Sequence, residues 1–174
     1  MAKAKEYCVS EDEKAIVKEL KQYPRESIDK ISRKCSFSRQ KVSKIIRRLE
    51  GNKTIWGYHT IIDNEKFGMG QYTILVKQSP KQTNEEIQKI IDLTIHKMGD
   101  KSGIDISCSS YLHGRYDWIF VFTARDIKNA KKFSMLLSRE YPGIFSEIQL
   151  LEDIFPVKKF GFFNPELESI KNII

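Results

Sequence analysis

The chain has 174 residues, with 30 Lys or Arg against 23 Asp or Glu, a net charge of +7 and 40% hydrophobic residues. That length suits one domain or two small ones, with enough apolar residues for a sizeable core. No apolar run approaches the roughly 18 residues of a membrane span. Met1-Ala2-Lys3-Ala4-Lys5 leads into no apolar stretch, so no membrane partner and no secretory leader are expected. Three widely spaced cysteines, Cys8, Cys35 and Cys108, form no CxxC pair, which argues against a disulfide framework or a zinc site. Cys35 and Cys108 sit in apolar or strand-like patterns and are expected as small core residues in a reducing, cytoplasmic setting.

The elements follow in chain order. Ser10-Glu11-Asp12-Glu13 has the form of a capping box, and its acids suit the positive end of a helix dipole. Ile16, Val17 and Leu20 continue at helical spacing until Tyr23-Pro24, where the pre-proline residue ends the helix. Ser27 is a second cap, followed by Ile28, Ile31 and Cys35 on one stripe of a two-turn helix. Ser36-Phe37 breaks the chain. Ser38 then caps a third helix with Val42, Ile45, Ile46 and Leu49 on one side, ended at Gly51-Asn52. Two short helices joined by a turn of about three residues have helix-turn-helix spacing.

Thr54 to Asp63 is rich in β-branched and aromatic residues and reads as extended, either a wing or a linking strand. Phe67-Gly68-Met69-Gly70 marks a boundary. The remainder reads β-α-β-β-α-β. Tyr72–Lys77 is a strand, and Glu85–Met98 a helix with Ile87, Ile90, Ile91 and Ile95 on one face. Gly99 to Gly103 is a turn, and Ile104–Leu112 and Trp118–Thr123 are strands around Gly114. Asp126–Tyr141 is a helix with Ala130, Phe133, Leu136 and Leu137 inward, and Phe145–Ile154 is the last strand. That order is ferredoxin-like, an antiparallel sheet with both helices on one face. The expected class is therefore α+β. A helix-turn-helix (winged-helix-like) unit at 8–53 and a linker at 54–69 precede a βαββαβ domain at 70–159. An extension at 160–174 follows, too apolar at Phe160, Phe162 and Phe163 for a free tail. There Asn164-Pro165 begins a short helix carrying Leu167, Ile170, Ile173 and Ile174.

The charge is segregated. Residues 1–60 hold 15 Lys/Arg and 8 Asp/Glu, whereas residues 61–174 hold 15 of each. Within 27–53 there are nine basic residues and two acids, which again gives +7. Arg39, Gln40, Ser43, Lys44 and Arg47 share the third helix's face opposite its apolar stripe. Arg and Gln reach base edges in a major groove, and Lys and Ser also hold phosphates. Early residues of the second helix of such motifs lie nearest the bases. Arg39, Gln40 and Ser43 are thus expected nearest the bases and Lys41, Lys44, Arg47, Arg48 and Lys53 mainly at phosphates of double-stranded DNA, with the cap residue Ser38 counted in the same DNA-binding set. The competing reading is an ordinary solvated basic face.

Several segments together resemble the Lrp/AsnC (feast/famine) transcriptional regulators. Ser10–Val17 is similar to their opening helix. Ser38-Arg39-Gln40-Lys41-Val42 matches an S-x-x-x-V approach to the recognition helix, and Arg47-Arg48-Leu49-Glu50 with Ile55-Trp56-Gly57-Tyr58 resembles the passage after it. Gly114-Arg115-Tyr116-Asp117 resembles a G-x-y-D turn, and Pro142-Gly143-Ile144 a p-G-V segment. The resemblance covers about residues 8–159. It implies homodimers that pair through effector-domain sheets, further assembly to tetramers or octamers, and an amino-acid effector near the G-x-y-D turn. In this chain that region is Tyr111, Leu112, His113, Gly114, Arg115, Tyr116 and Asp117. Asp117 could pair with an α-ammonium, and Gly114 could let backbone N–H groups approach a carboxylate. A plain hairpin turn is the alternative. His113 and Arg115 are bulkier or more charged than is usual there.

The expected function is a sequence-specific DNA-binding regulator, not an enzyme, with no metal or cofactor. An architectural DNA binder without effector shares every basic residue. Sirohaem-decarboxylase-like enzymes share the two-domain plan, but their histidine-asparagine-tyrosine pattern is missing from this chain, whose histidines are His59, His96 and His113.

Overall fold

The computed structural model describes residues 8–79, 88–89 and 92–173. The chain divides into two compact units, residues 1–61 and 62–174. The division falls inside the linker expected at 54–69 and coincides with the charge boundary: all of the +7 lies in the first unit.

The first unit has three helices, α1 (Glu11–Gln22), α2 (Ile28–Cys35) and α3 (Arg39–Gly51). Each begins at an extended serine whose hydroxyl accepts a hydrogen bond from the backbone N–H three residues on. Such a cap satisfies an otherwise orphaned donor and contributes about 1 kcal/mol. The Ser10–Glu13 capping box forms in full. The core is Ile16, Leu20, Ile31, Val42, Ile45 and Leu49. The expected inward residue Ile28 is instead exposed, because as the first residue of α2 it precedes the turn that packs on α3.

The end of α3 also differs from expectation. Gly51 is still helical, and the left-handed residue is Lys53, at φ +61°. The N–H groups of Thr54 and Ile55 both donate to the Leu49 carbonyl, at 2.8 and 3.0 Å. Residues 56–63 then run without pairing in any sheet, so neither the wing nor the linking strand is present among the described residues. Backbone composition favours an extended course, but a strand needs a ladder partner.

The second unit opens with a 3₁₀ turn, Glu65–Phe67. It continues as β1 (Gly70–Gln78), α4 (Thr94–Lys101), β2 (Asp105–Tyr111), β3 (Trp118–Ala124), α5 (Ile127–Glu140) and β4 (Phe145–Asp153). The sheet order is β2-β3-β1-β4, antiparallel throughout, with Ile74 opposite both Phe120 and Leu150. This is the ferredoxin-like arrangement. Tyr72, Ile74, Val76, Trp118, Phe120, Phe122 and Ala124 project from one face and pack against Ile95, Ala130, Phe133 and Leu137 of the helices. Thr73, Leu75, Ile119 and Val121 project from the other face and are half-buried, while Leu151 beside them is exposed.

The first helix of this unit extends further than its glycines suggested. Ile87, Ile90 and Ile91 lie outside the described residues, but α4 runs through Gly99 to Lys101. Gly99 is a packing glycine: a Cβ there would lie 3.2 Å from both the Ile104 carbonyl oxygen and Ile106 Cδ1. Cys108, expected in the core, is exposed, because β2 is an edge strand with a bulge between Ile106 and Cys108. Leu136 is half-buried.

After β4 a small hairpin pairs β5 (Lys158–Lys159) with β6 (Phe162–Phe163), so the 159/160 boundary expected from the sequence falls at its turn. Phe160 and Gly161 both have positive φ, 48° and 97°, as a two-residue primed hairpin requires. A 3₁₀ segment, Leu167–Asn172, takes the place of the expected terminal helix, and Lys66 pairs with Glu166 at 3.7 Å.

Candidate nucleic-acid interface

The first turn of α3 and the start of α2 form one open concave face. It is lined by Ile28, Asp29, Arg39, Gln40, Ser43, Lys44 and Arg47. Five of these are the residues expected to face DNA from helical spacing alone. Ile28 and Asp29 were not foreseen. The missed signal is that a two-turn helix buries only its middle, so its first turn is free to border a neighbouring helix.

The remaining basic residues have different surroundings. Arg48 donates to Glu13 Oε1 at 2.7 Å, and Glu13 is only 2% exposed. Glu13 Oε2 accepts the Ser10 N–H at 2.8 Å and the Ser10 hydroxyl at 3.0 Å. Arg48 thus closes a network that ties α3 to the start of α1, while its own side chain stays 53% exposed. Lys41 pairs with Asp12 at 2.6 Å and lies 3.9 Å over the Phe37 ring. Ser38 is the helix cap. Lys44, Arg47 and Lys53 make no ion pair among the described residues, and all three are exposed. Arg39 is held by Asp29 through both its Nε and Nη2 groups.

Beyond α3, Tyr58 donates to Glu50 Oε1 at 2.9 Å. Burial, then this carboxylate, pushes the Tyr58 phenol up to about 12. The bond occupies the last acidic residue of the basic segment, which does not line the open face.

In the second unit, the G-x-y-D turn is tied to the sheet. Asp117 Oδ2 accepts the Gln78 N–H at 2.7 Å, and the Asp117 N–H donates to the Val76 carbonyl at 2.8 Å. Asp117 therefore clamps the β2–β3 hairpin to the end of β1. The Tyr116 hydroxyl lies 3.0 Å from Glu147 Oε1 and 2.5 Å from Gln149 Oε1, while Arg115 lies 5.4 Å from the Tyr116 ring centroid. Burial, then the Glu147 bond, raises the Tyr116 phenol above its usual value. Tyr111 stacks on Trp118 at 4.7 Å and accepts from Gln78 Nε2 at 3.2 Å. Leu112, His113 and Gly114 are exposed. A Cβ at Gly114 would meet nothing within 4 Å, and its φ is outside the left-handed region, so the turn does not require glycine. A cavity of about 310 Å³ opens between α4 and β2, lined by Lys89, His96, Cys108, Ser109, Tyr111 and Trp118 among others.

Among the described residues no group of three His, Cys, Asp or Glu is placed to hold a metal ion, and no helix is long and apolar enough to cross a membrane.

No family model matches the sequence, and no curated protein matches it. Solved structures do resemble the chain. LrpC of B. subtilis is 16% identical, with a TM-score of 0.63 over 87% of this chain and 98% of LrpC. An AsnC family transcriptional regulator from Agrobacterium tumefaciens is 11% identical, with a TM-score of 0.68 over 86% and 93%. A feast or famine regulatory protein from M. tuberculosis, complexed with L-methionine, is 12% identical, with a TM-score of 0.66 over 87% and 96%. At such identities the likeness is one of fold, and it spans both units: the chain is built on the fold of the Lrp/AsnC transcriptional regulators.

Proposed function

We propose that this chain is a member of the Lrp/AsnC group that binds double-stranded DNA sequence-specifically and regulates transcription. The observation that carries this reading is the coincidence of three features on one surface. Arg39, Gln40, Ser43, Lys44 and Arg47 line a single open face on the second helix of a helix-turn-helix, and that unit holds all of the net charge. The start of α3 enters the major groove, with Arg39, Gln40 and Ser43 at base edges and Lys44, Arg47 and Lys53 at phosphates. Lys41 and Arg48 flank the contact and hold α3 against α1.

The second unit assembles the protein. Its helix-free sheet face, with Leu75, Ile119, Val121 and Leu151, pairs with a second copy, and such dimers associate further. A small amino acid, bound near Tyr111 to Asp117, shifts that assembly by binding one state more tightly than another. The M. tuberculosis structure carrying L-methionine supports this choice of effector class.

The test is fluorescence anisotropy with a labelled duplex at low salt. The wild-type protein binds, and Arg47→Ala with Lys44→Ala weakens binding at least tenfold. Equal affinity in the double variant removes this face as the DNA-binding surface.

A further inference from the structure

Asp29 is out of place on a phosphate-facing surface. It is the one acid among the residues lining the open face, and one of only two acids in residues 27–53. The other, Glu50, is bonded to Tyr58. An unopposed carboxylate there repels DNA and weakens binding to every sequence alike. Its position makes sense through its partner.

The carboxylate meets Arg39 side-on. Oδ1 takes the Nε–H and Oδ2 takes one Nη2–H. A guanidinium has five N–H groups in a rigid planar fork. Engaging the Nε/Nη2 edge leaves three hydrogens, both on Nη1 and one on Nη2. Those include the complete end-on edge, the pair that matches guanine O6 and N7 in the major groove. The grip also fixes the long side chain across two helices: Asp29 lies in the first turn of α2 and Arg39 is the first residue of α3. Ordering the side chain before binding removes entropy that a free arginine would lose on contact.

We infer that Asp29 is a positioning residue that holds Arg39 to read a guanine, so the preferred site carries a G·C pair at a fixed place in each half-site. This rests on the DNA-binding reading above and extends it to a base identity and to a residue that touches no DNA. Asp29 acts in two opposite directions: it lowers affinity for DNA in general and raises discrimination at one base pair.

The experiment selects duplexes from a random-sequence library with the full-length protein, then measures affinity for the selected site and for an unselected duplex. At each selected guanine, 7-deazaguanine removes the N7 acceptor. In the wild type, one such substitution removes one of the two acceptors and costs about 5- to 10-fold, the low end of the range for losing a bidentate arginine–guanine contact. Arg39→Lys keeps the charge but lacks the fork that Asp29 grips, and it loses part of the penalty at that guanine, since a lysine can still reach O6 and N7. Asp29→Asn loses most of the penalty while binding the unselected duplex as tightly as the wild type or more so. Asp29→Glu retains part of the preference, which separates positioning from a folding defect; circular dichroism melts confirm that all variants fold. An Asp29→Asn variant with the full guanine penalty overturns the inference, as does an Arg39→Lys variant with an unchanged profile. If the wild-type protein binds no duplex, the DNA-binding reading itself fails, an outcome distinct from selective binding that ignores Asp29.

Discussion

Arg47 and Arg48 are adjacent in sequence and chemically identical, yet the structure gives them different surroundings. Arg48→Ala removes a 2.7 Å charge-assisted bond from Glu13, whose side chain is 3% exposed. Breaking a fully buried pair costs about 3–5 kcal/mol. Here Glu13 keeps both Ser10 donors, and Arg48 itself is half-exposed, so the loss is nearer a single charge-assisted bond, about 2 kcal/mol. For a unit of this size each kcal/mol shifts the midpoint by roughly 4–8 °C, so the first unit melts about 8–16 °C lower. Arg47→Ala stays within about 0.5 kcal/mol of the wild type, as expected for a surface residue that makes no ion pair among the described residues. The assay pairs two readouts on the full chain. Thermal unfolding by circular dichroism, with amide exchange in α1 and α3, reports stability, and anisotropy with a labelled duplex reports binding. Arg48→Ala loses stability and retains most DNA affinity at a temperature where it is folded; Arg47→Ala does the reverse. Two variants with the same stability and the same loss of DNA binding would refute the division.

Three further outcomes follow from single residues. Lys53 is left-handed, which costs an L residue about 1 kcal/mol, so Lys53→Gly raises the melting temperature while it weakens DNA binding through the lost charge. Tyr141 is buried and its hydroxyl has no hydrogen-bond partner among the described residues, so Tyr141→Phe is expected to stabilise the second unit by about 1 kcal/mol in chemical denaturation. Burial pushes the same phenol up to about 12. The fold therefore favours its neutral form: that contribution is present below the ordinary tyrosine pKa near 10 and fades as pH rises through 12. Tyr58 titrates in the same window, so Tyr141→Phe removes part, not all, of the alkaline loss of stability. Val121→Glu puts a charge in the helix-free sheet face opposite Thr73. Light scattering after size exclusion should then show a monomer with an intact circular-dichroism spectrum; a variant of the same mass as the wild type counts against pairing through this face.

How far the sequence revealed this architecture depended on whether each signal was local. The three serine caps, the capping box and the stripe Val42-Ile45-Leu49 act within a turn or two, and each predicted its element. The alternating apolar residues of Trp118–Ala124 sufficed for a central strand, because a buried face writes its own period. Features that depend on a distant partner were misread. Gly99 resembled a turn residue, but Ile104 and Ile106, met only after folding, explain it. Cys108 sits in a strand pattern, and only the sheet order shows that its strand is an edge. Residues 56–63 have strand composition without a strand to pair with among the described residues. The Arg48–Glu13 contact was not legible beside Arg47, since it spans 35 positions. The open face of α3 was legible from periodicity, whereas Asp29 and Ile28 join it only through the packing of α2 on α3.

The central claim, that the first unit is a DNA-binding module, is tested most directly by the salt dependence of its affinity for a duplex. A dimer placing Lys44, Arg47 and Lys53 of each copy on phosphates neutralises about six charges, so log K falls against log salt with a slope of about −5. The account predicts that slope, and a slope shallower by about 2 in Arg47→Ala, because each copy loses one contact. A wild-type slope near zero, or one that Arg47→Ala leaves unchanged, would contradict it.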